Sequence, residues 1–183
     1  SIADLDSDGN FEILHGEFGG YVICMDARTG VKLWEIAVDT NSWIQTAPTI
    51  ADLNSDGQLD FVVATWHFNE NNKIFAFDGL TREILWSVQL DGYVYHGTAV
   101  ADFDNDGKSE CVIGDYSGKL RMLNGEDGST VWAFQSPYYI ASPVTIADVD
   151  ADGGEHQLLE AQDVLAKVGI EHRLEVGVVR QVV

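Results

Sequence analysis

A nine-residue pattern recurs along this chain, and its spacing restricts the fold more than any other feature. Asp4-Leu5-Asp6-Ser7-Asp8-Gly9-Asn10-Phe11-Glu12 returns as Asp52-Leu53-Asn54-Ser55-Asp56-Gly57-Gln58-Leu59-Asp60 and as Asp102-Phe103-Asp104-Asn105-Asp106-Gly107-Lys108-Ser109-Glu110. A fourth copy starts at Asp148, Asp150, Asp152 and Gly153 but has His156 at its ninth position. The copies begin 48, 50 and 46 residues apart. A second landmark keeps the same beat, with Trp34, Trp86 and Trp132 each closing a turn-plus-strand segment. Two landmarks in step identify a tandem repeat, whose units must stack on one another to bury their apolar faces.

Within a unit the pattern is all β. In the second unit the runs Ala47 to Ala51, Phe61 to Trp66, Lys73 to Phe77 and Glu83 to Val88 are short, rich in β-branched and aromatic residues, and bounded by turn residues. The first unit repeats this at Phe11–His15, Tyr21–Asp26 and Val31–Ile36, and the third at Glu110–Gly114, Lys119–Leu123 and Thr130–Phe134. Four short strands per unit in tandem predict an all-β chain, a β-propeller fragment of about three four-stranded blades. With strands A to D in each blade, the Asp-rich loop joins A to B, and turns such as Arg28-Thr29-Gly30 and Asp127-Gly128 join C to D. In an up-and-down blade those connections share one face of the disc, and the B–C and D–A connections share the other.

The Asp-rich loops have the composition of a hard-cation site. Alternate oxygen side chains converge on one point, and the glycine permits the sharp turn. A helix–loop–helix calcium site would begin the same way but needs an acid at position 12 between helices. Position 12 is His15, Val63 and Ile113 here, and the flanks are strands, so that reading fails. Carboxylates gathered in so short a loop repel one another strongly without a cation. Calcium is therefore the expected ion, with a structural role. The expected ligands are Asp4, Asp6, Asp8 and Glu12, then Asp52, Asn54, Asp56 and Asp60, then Asp102, Asp104, Asp106 and Glu110. Backbone carbonyls of Asn10, Gln58 and Lys108 are expected to add one ligand each. For Asp148, Asp150 and Asp152 a metal and a metal-free turn stay equally open, since His156 is a poor hard-ion ligand.

The loops, with the preceding Thr49-Ile50-Ala51, Ala99-Val100-Ala101 and Thr145-Ile146-Ala147, resemble the calcium-binding FG-GAP (VCBS-type) repeats of integrin α-like propellers. The segments Cys24 to Trp34 and Ala76 to Trp86 are similar to the tryptophan-docking motif of quinoprotein-like (PQQ-like) propellers. The copy from Met122 to Trp132 departs from it, with Asn124 and Asp127 in place of the usual Asp and Thr. These resemblances cover residues 1–153 and imply a propeller with calcium in its A–B loops and tryptophans docked between blades. They imply no quinone, because the vicinal cysteines of quinoprotein dehydrogenases are missing.

Trp34, Trp86 and Trp132 sit on the outermost strand of each unit, which assigns them to inter-blade packing. A different periodicity lies in the D–A connections, where Trp43, Tyr93 and Tyr139 each precede a loop Asp by nine residues. Tyr95, His96 and Tyr138 adjoin them, and Trp66 and His67 open the long B–C connection. Strand parity puts all of these opposite the calcium loops. They either line the top of the inter-blade core or form a ligand face suited to sugars or a peptide. The histidines show no zinc spacing, and no nucleophile motif supports hydrolase chemistry.

Composition narrows the partners. The net charge is −20, with 14 of the 30 acidic residues in the four loops. Four divalent ions would bring the charge to −12, and the remainder disfavours nucleic acid and anionic membranes. Cys24 and Cys111 lie inside apolar runs and read as buried thiols. No run of about 18 apolar residues is present to span a membrane. The chain starts with Ser1 inside a repeat, so its first blade is expected to begin upstream, and further blades of a longer parent are expected partners. After Gly153 the pattern breaks. Residues 157–168 have helix-like apolar spacing and 170–183 are strand-prone, so 154–183 are expected to be an atypical tail and no blade.

These features predict a calcium-stabilised binding or scaffold module for carbohydrate or protein ligands, at the cell surface, outside the cell or in the periplasm. Two alternatives are part of a polysaccharide-active enzyme of the rhamnogalacturonan-lyase type and a scaffold of the outer-membrane assembly kind.

Overall fold

The computed structural model describes residues 1–67, 71–103 and 106–145, together with the backbone of 146–147 and 179–180. The described residues contain strands and turns and no helix.

Blade 1 is β1 (Ile2–Ala3), β2 (Glu12–Gly16), β3 (Tyr21–Asp26) and β4 (Lys32–Ala37). Blade 2 is β5 (Thr49–Ala51), β6 (Asp60–Ala64), β7 (Lys73–Asp78) and β8 (Ile84–Gln89). Blade 3 is β9 (Ala99–Ala101), β10 (Glu110–Gly114), β11 (Lys119–Asn124) and β12 (Thr130–Gln135). Each is a four-stranded antiparallel meander in sequence order, so the expected strands appear within one or two residues of their predicted ends. In every blade the pairing of strands C and D shifts register at one place, Cys24/Met25, Ala76/Phe77 and Met122/Leu123. Such bulges increase local twist.

Packing between blades explains why strands B and C read as continuous apolar runs. In β6, Phe61 and Val63 join Leu14, Val22, Cys24 and Phe77 in a core shared with blade 1. Val62 and Ala64 face the other way, joining Trp86, Cys111, Ile113 and Leu123 in a core shared with blade 3. A strand buried on both faces has no polar alternation to display. Cys24 and Cys111 are buried, unpaired and in different cores, and burial pushes their thiols up to about 11 and about 12 respectively.

Trp34 and Trp86 bind blade to blade. Trp86 Nε1 donates to Gly125 O of blade 3 at 2.5 Å. Its ring lies where a Cβ on Gly128 would stand, 2.7 Å from Cε3. Trp34 stacks on Phe61 of blade 2 at 6.1 Å and lies 5.6 Å beneath the Arg82 guanidinium. Trp132 packs with Phe134, Met122 and Val112 on the outer side of blade 3. Around the inner strands, the Thr49 hydroxyl donates to Thr98 O at 2.8 Å, and the Ser1 hydroxyl makes the matching bond to Pro48 O.

Beyond blade 3, β13 (Ile146–Ala147) pairs in parallel with β14 (Val179–Arg180). The helix-like segment 157–168 and most of the expected tail lie outside the described residues, as do Asp148, Asp150 and Asp152.

Candidate functional site

The three A–B loops share one hydrogen-bond plan. The N–H of the loop glycine donates to the first Asp: Gly9 to Asp4 Oδ2 at 3.0 Å, Gly57 to Asp52 Oδ2 at 2.9 Å, Gly107 to Asp102 Oδ2 at 3.0 Å. The N–H at position 7 donates to the acid at position 5: Asn10 to Asp8 at 2.7 Å, Gln58 to Asp56 at 2.8 Å, Lys108 to Asp106 at 2.9 Å. The glycines stand at φ of 89°, 86° and 90°, which is the left-handed backbone the turn requires.

The ninth-position acids do something the pattern alone did not reveal. Glu12, Asp60 and Glu110 are buried, and each accepts the N–H of the residue after the first loop Asp. Leu5 donates to Glu12 at 2.9 Å, Leu53 to Asp60 at 3.0 Å, and Phe103 to Glu110 at 2.8 Å. That bond ties the two ends of each loop together through one carboxylate oxygen and leaves the second for another use. Burial pushes Asp60 up to about 6, partly offset by the Leu53 N–H, and burial likewise raises Glu12.

Two observations fit a cation in these loops. Ligand oxygens of Asp4, Asp6 and Asp8 lie within 4.8 Å of one another. Asp4 Oδ1, Asp60 Oδ1 and Asp102 Oδ1 are buried and make no hydrogen bond of ordinary geometry. A buried carboxylate oxygen without a donor is costly unless a charge meets it. The Asn10 side-chain amide donates to Asp8 Oδ1 at 2.9 Å, and the Lys108 ammonium pairs with Glu126 at 2.6 Å. Asp104 lies outside the described residues.

The opposite face carries an aromatic ladder. Phe18 packs on Trp43 with ring centroids 4.9 Å apart, and Trp43 on Trp66 at 4.6 Å and 9° from parallel. Trp66 meets Tyr93 at 5.1 Å, Tyr93 stacks on Tyr116 at 4.5 Å, and Tyr116 on Tyr139 at 4.3 Å. Tyr95 stands against Tyr93 and Tyr116, with His96 beyond it at 6.4 Å. Trp43 and Trp66 also exchange both backbone hydrogen bonds, at 2.9 and 2.8 Å, which locks the D–A connection of blade 1 onto the B–C connection of blade 2. His67 donates its N–H to Asn72 Oδ1 at 2.6 Å beside the ladder. Tyr138 is exposed and outside it.

Rungs alternate between B–C and D–A connections, and two of the B–C rungs, Phe18 and Tyr116, were missed from the sequence. The signal was present: Phe18, Trp66 and Tyr116 each follow a loop Asp by 14 residues. Close to the ladder lies a charge network also unforeseen. Arg121 donates to buried Asp115 at 2.7 Å and to Asp91 at 2.6 Å, and Lys119 pairs with Asp91. The Lys119 hydrogen bond, more than any other contact, holds the Asp91 carboxyl below its ordinary range, with Arg121 adding to it.

Blades of this construction, with a tryptophan on strand D docked over the next blade's C–D turn, define a β-propeller of PQQ-like repeats. Residues 9–139 match the model of the family described as outer membrane protein assembly factor BamB, and the chain belongs to that family. Among solved structures it is similar to BamB from Moraxella catarrhalis, at 20% identity and a TM-score of 0.53, over 78% of this chain and 36% of that one. It is also similar to the computationally designed Ika8 protein, at 16% identity and a TM-score of 0.54, over 80% of this chain and 39% of that one. The three blades thus span little more than a third of either structure. Comparison with curated protein sequences finds no match.

Proposed function

We propose that these blades belong to a protein-docking scaffold of the cell envelope that serves the assembly of outer-membrane proteins. The family match over residues 9–139 carries this reading. It favours the scaffold alternative over a carbohydrate-binding module and supports a periplasmic location for the parent. Deleting the parent gene in its host and comparing the folded outer-membrane proteins tests it. A fall in their abundance is expected, and unchanged abundance refutes the reading.

Calcium is the second part of the proposal. Asp4, Asp6, Asp8, Glu12 and the Asn10 carbonyl would hold one ion. Asp52, Asn54, Asp56, Asp60 and the Gln58 carbonyl would hold a second, and Asp102, Asp104, Asp106, Glu110 and the Lys108 carbonyl a third. The buried oxygens of Asp4 and Asp102, which accept no hydrogen bond of ordinary geometry, support this assignment. When bound, the ion supplies the positive charge that the converging carboxylates lack and so stiffens the A–B hairpin. The chain's own part is to preorganise the loops through the Leu5, Leu53 and Phe103 N–H bonds to the ninth-position acids. Calcium then fixes one side of the disc, and the ladder side is left for a protein partner.

A further inference from the structure

The first and second A–B loops touch the blade that follows them as well as their own hairpin. Leu5 and Leu53, at the second loop position, are 2% and 0% exposed. Their N–H groups serve the loop, through the bonds to Glu12 and Asp60, while their side chains fill the seam between blades. Leu5 sits in one core with Phe61 and Phe77 of blade 2, and Leu53 in another with Trp86 and with Cys111 and Leu123 of blade 3. Such a loop cannot change shape at this position without withdrawing a side chain from the next blade.

Neighbouring loops meet at the C–D turn of the later blade. Gly125 N–H donates at 2.8 Å to the carbonyl of Ser109, at position 8 of the third loop, and Gly125 O accepts the Trp86 N–H at 2.5 Å. A Cβ on Gly125 would collide with Ser109 O and stand 2.9 Å from Leu53 O of the second loop. Gly79 repeats the arrangement one blade earlier. There a Cβ would collide with the carbonyl of Leu59, at position 8 of the second loop, and stand 2.9 Å from Leu5 Cδ1 of the first. Neither glycine has a positive φ, so the residue is required by close approach of a loop from each side. The Ser55 hydroxyl adds a direct contact from the second loop to the third, 3.4 Å from Gly107 O.

We propose that cation binding in neighbouring A–B loops is positively cooperative, with Gly79 and Gly125 as the positioning residues that transmit it. The assignment rests on the calcium reading above and states how its sites act on one another. A loop ordered around a cation holds its second-position leucine in the seam and its backbone against the shared glycine, so the next loop closes on a turn already in place. Coupling of this kind is reciprocal and falls in the range of about 5–150-fold. Charge acts the other way, since a cation in one loop weakens the negative potential that draws another to the next. Salt of about 1 M screens charges beyond about 3 Å and leaves the packing against Gly79 and Gly125 in place.

The test is calorimetric titration of the metal-free, full-length parent with calcium chloride in about 1 M potassium chloride, where the contact contribution stands alone. A Hill coefficient above unity is expected. Asp56→Asn removes one charged ligand from the second loop and is expected to weaken the first and third loops at least about fivefold. Gly125→Ala alters no expected ligand, yet it should weaken the second and third loops together and lower the Hill coefficient, which a purely structural role would not do. Asp56 and Asp106 are exposed, so their variants decide the matter even where Gly125→Ala does not fold. Linkage then requires Asp106→Asn to weaken the second loop by the factor by which Asp56→Asn weakens the third. Calcium uptake with a Hill coefficient of unity, or other loops that bind as before in Asp56→Asn, overturns the cooperativity and keeps the calcium reading. Absence of calcium uptake refutes both.

Discussion

Replacing one glycine by alanine in two equivalent turns separates backbone strain from side-chain contact at a blade junction. Gly30 and Gly128 hold the same position of the C–D turn, at φ of 70° and 72°. Alanine in this left-handed conformation costs about 1 kcal/mol at either site. The surroundings differ. A Cβ on Gly30 meets nothing within 4 Å, whereas one on Gly128 meets Trp86 Cε3 at 2.7 Å and Cδ2 at 2.8 Å. That ring is held by its bond to Gly125 O at 2.5 Å, so it cannot withdraw without losing a buried hydrogen bond. Overpacking adds about 1–3 kcal/mol, so Gly128→Ala is expected to cost about 2–4 kcal/mol against about 1 kcal/mol for Gly30→Ala. Denaturant unfolding of the parent protein, followed by tryptophan fluorescence, measures both. In a double-mutant cycle, Trp86→Leu is expected to absorb most of the Gly128→Ala excess. Equal costs at the two glycines, or additive effects of Gly128→Ala and Trp86→Leu, refute the reasoning.

Four other outcomes follow from the same geometry. Chelating calcium is expected to lower the melting temperature, since a site filled to a hundredfold its dissociation constant contributes about 2.7 kcal/mol; an unchanged melt with and without chelator counts against metal in the loops. Arg121→Met leaves Asp115 buried without its cation and is expected to cost about 3–5 kcal/mol. Blade 2 carries Thr65 and Phe75 at the matching positions, so Asp115→Thr with Arg121→Phe should recover most of that loss in urea melts, and failure to do so shows that the pair is irreplaceable. Asp26 and Asp78 are held below their ordinary range chiefly by hydrogen bonds from Thr29 and Thr81. A depressed carboxyl stabilises the fold above its unfolded value near 3.9 and loses that contribution as pH falls through the lower folded value, so Asp26→Asn should flatten the acid limb of a stability profile.

Local chemistry repeated along the chain was legible without coordinates. The loop pattern, the tryptophan beat and the short apolar runs specify four strands per unit, because turn residues and strand composition act over a few neighbours. The positions of the loop acids and of Trp43, Trp66, Tyr93 and Tyr139 were readable for the same reason. Phe18 and Tyr116 were readable in principle, from their constant distance to the loop Asp, but one aromatic in a short turn has no local requirement that singles it out. The Asp91–Arg121–Asp115 network had no such signal, because its members meet only when the D–A connection of one blade crosses the B–C connection of the next.

The sequence by itself determined the unit, its strands and the acid side of the disc, since each depends on residues close together in the chain. Tertiary structure decided which surfaces those units share. Packing of blade on blade turned the ninth-position acids inward onto backbone N–H groups and seated Trp86 over Gly128. It also brought aromatic residues from six separate connections into one ladder. The physical reason is that hydrogen bonds within a turn form over a few residues, whereas ring stacking and burial across blades require segments tens of residues apart to be placed side by side.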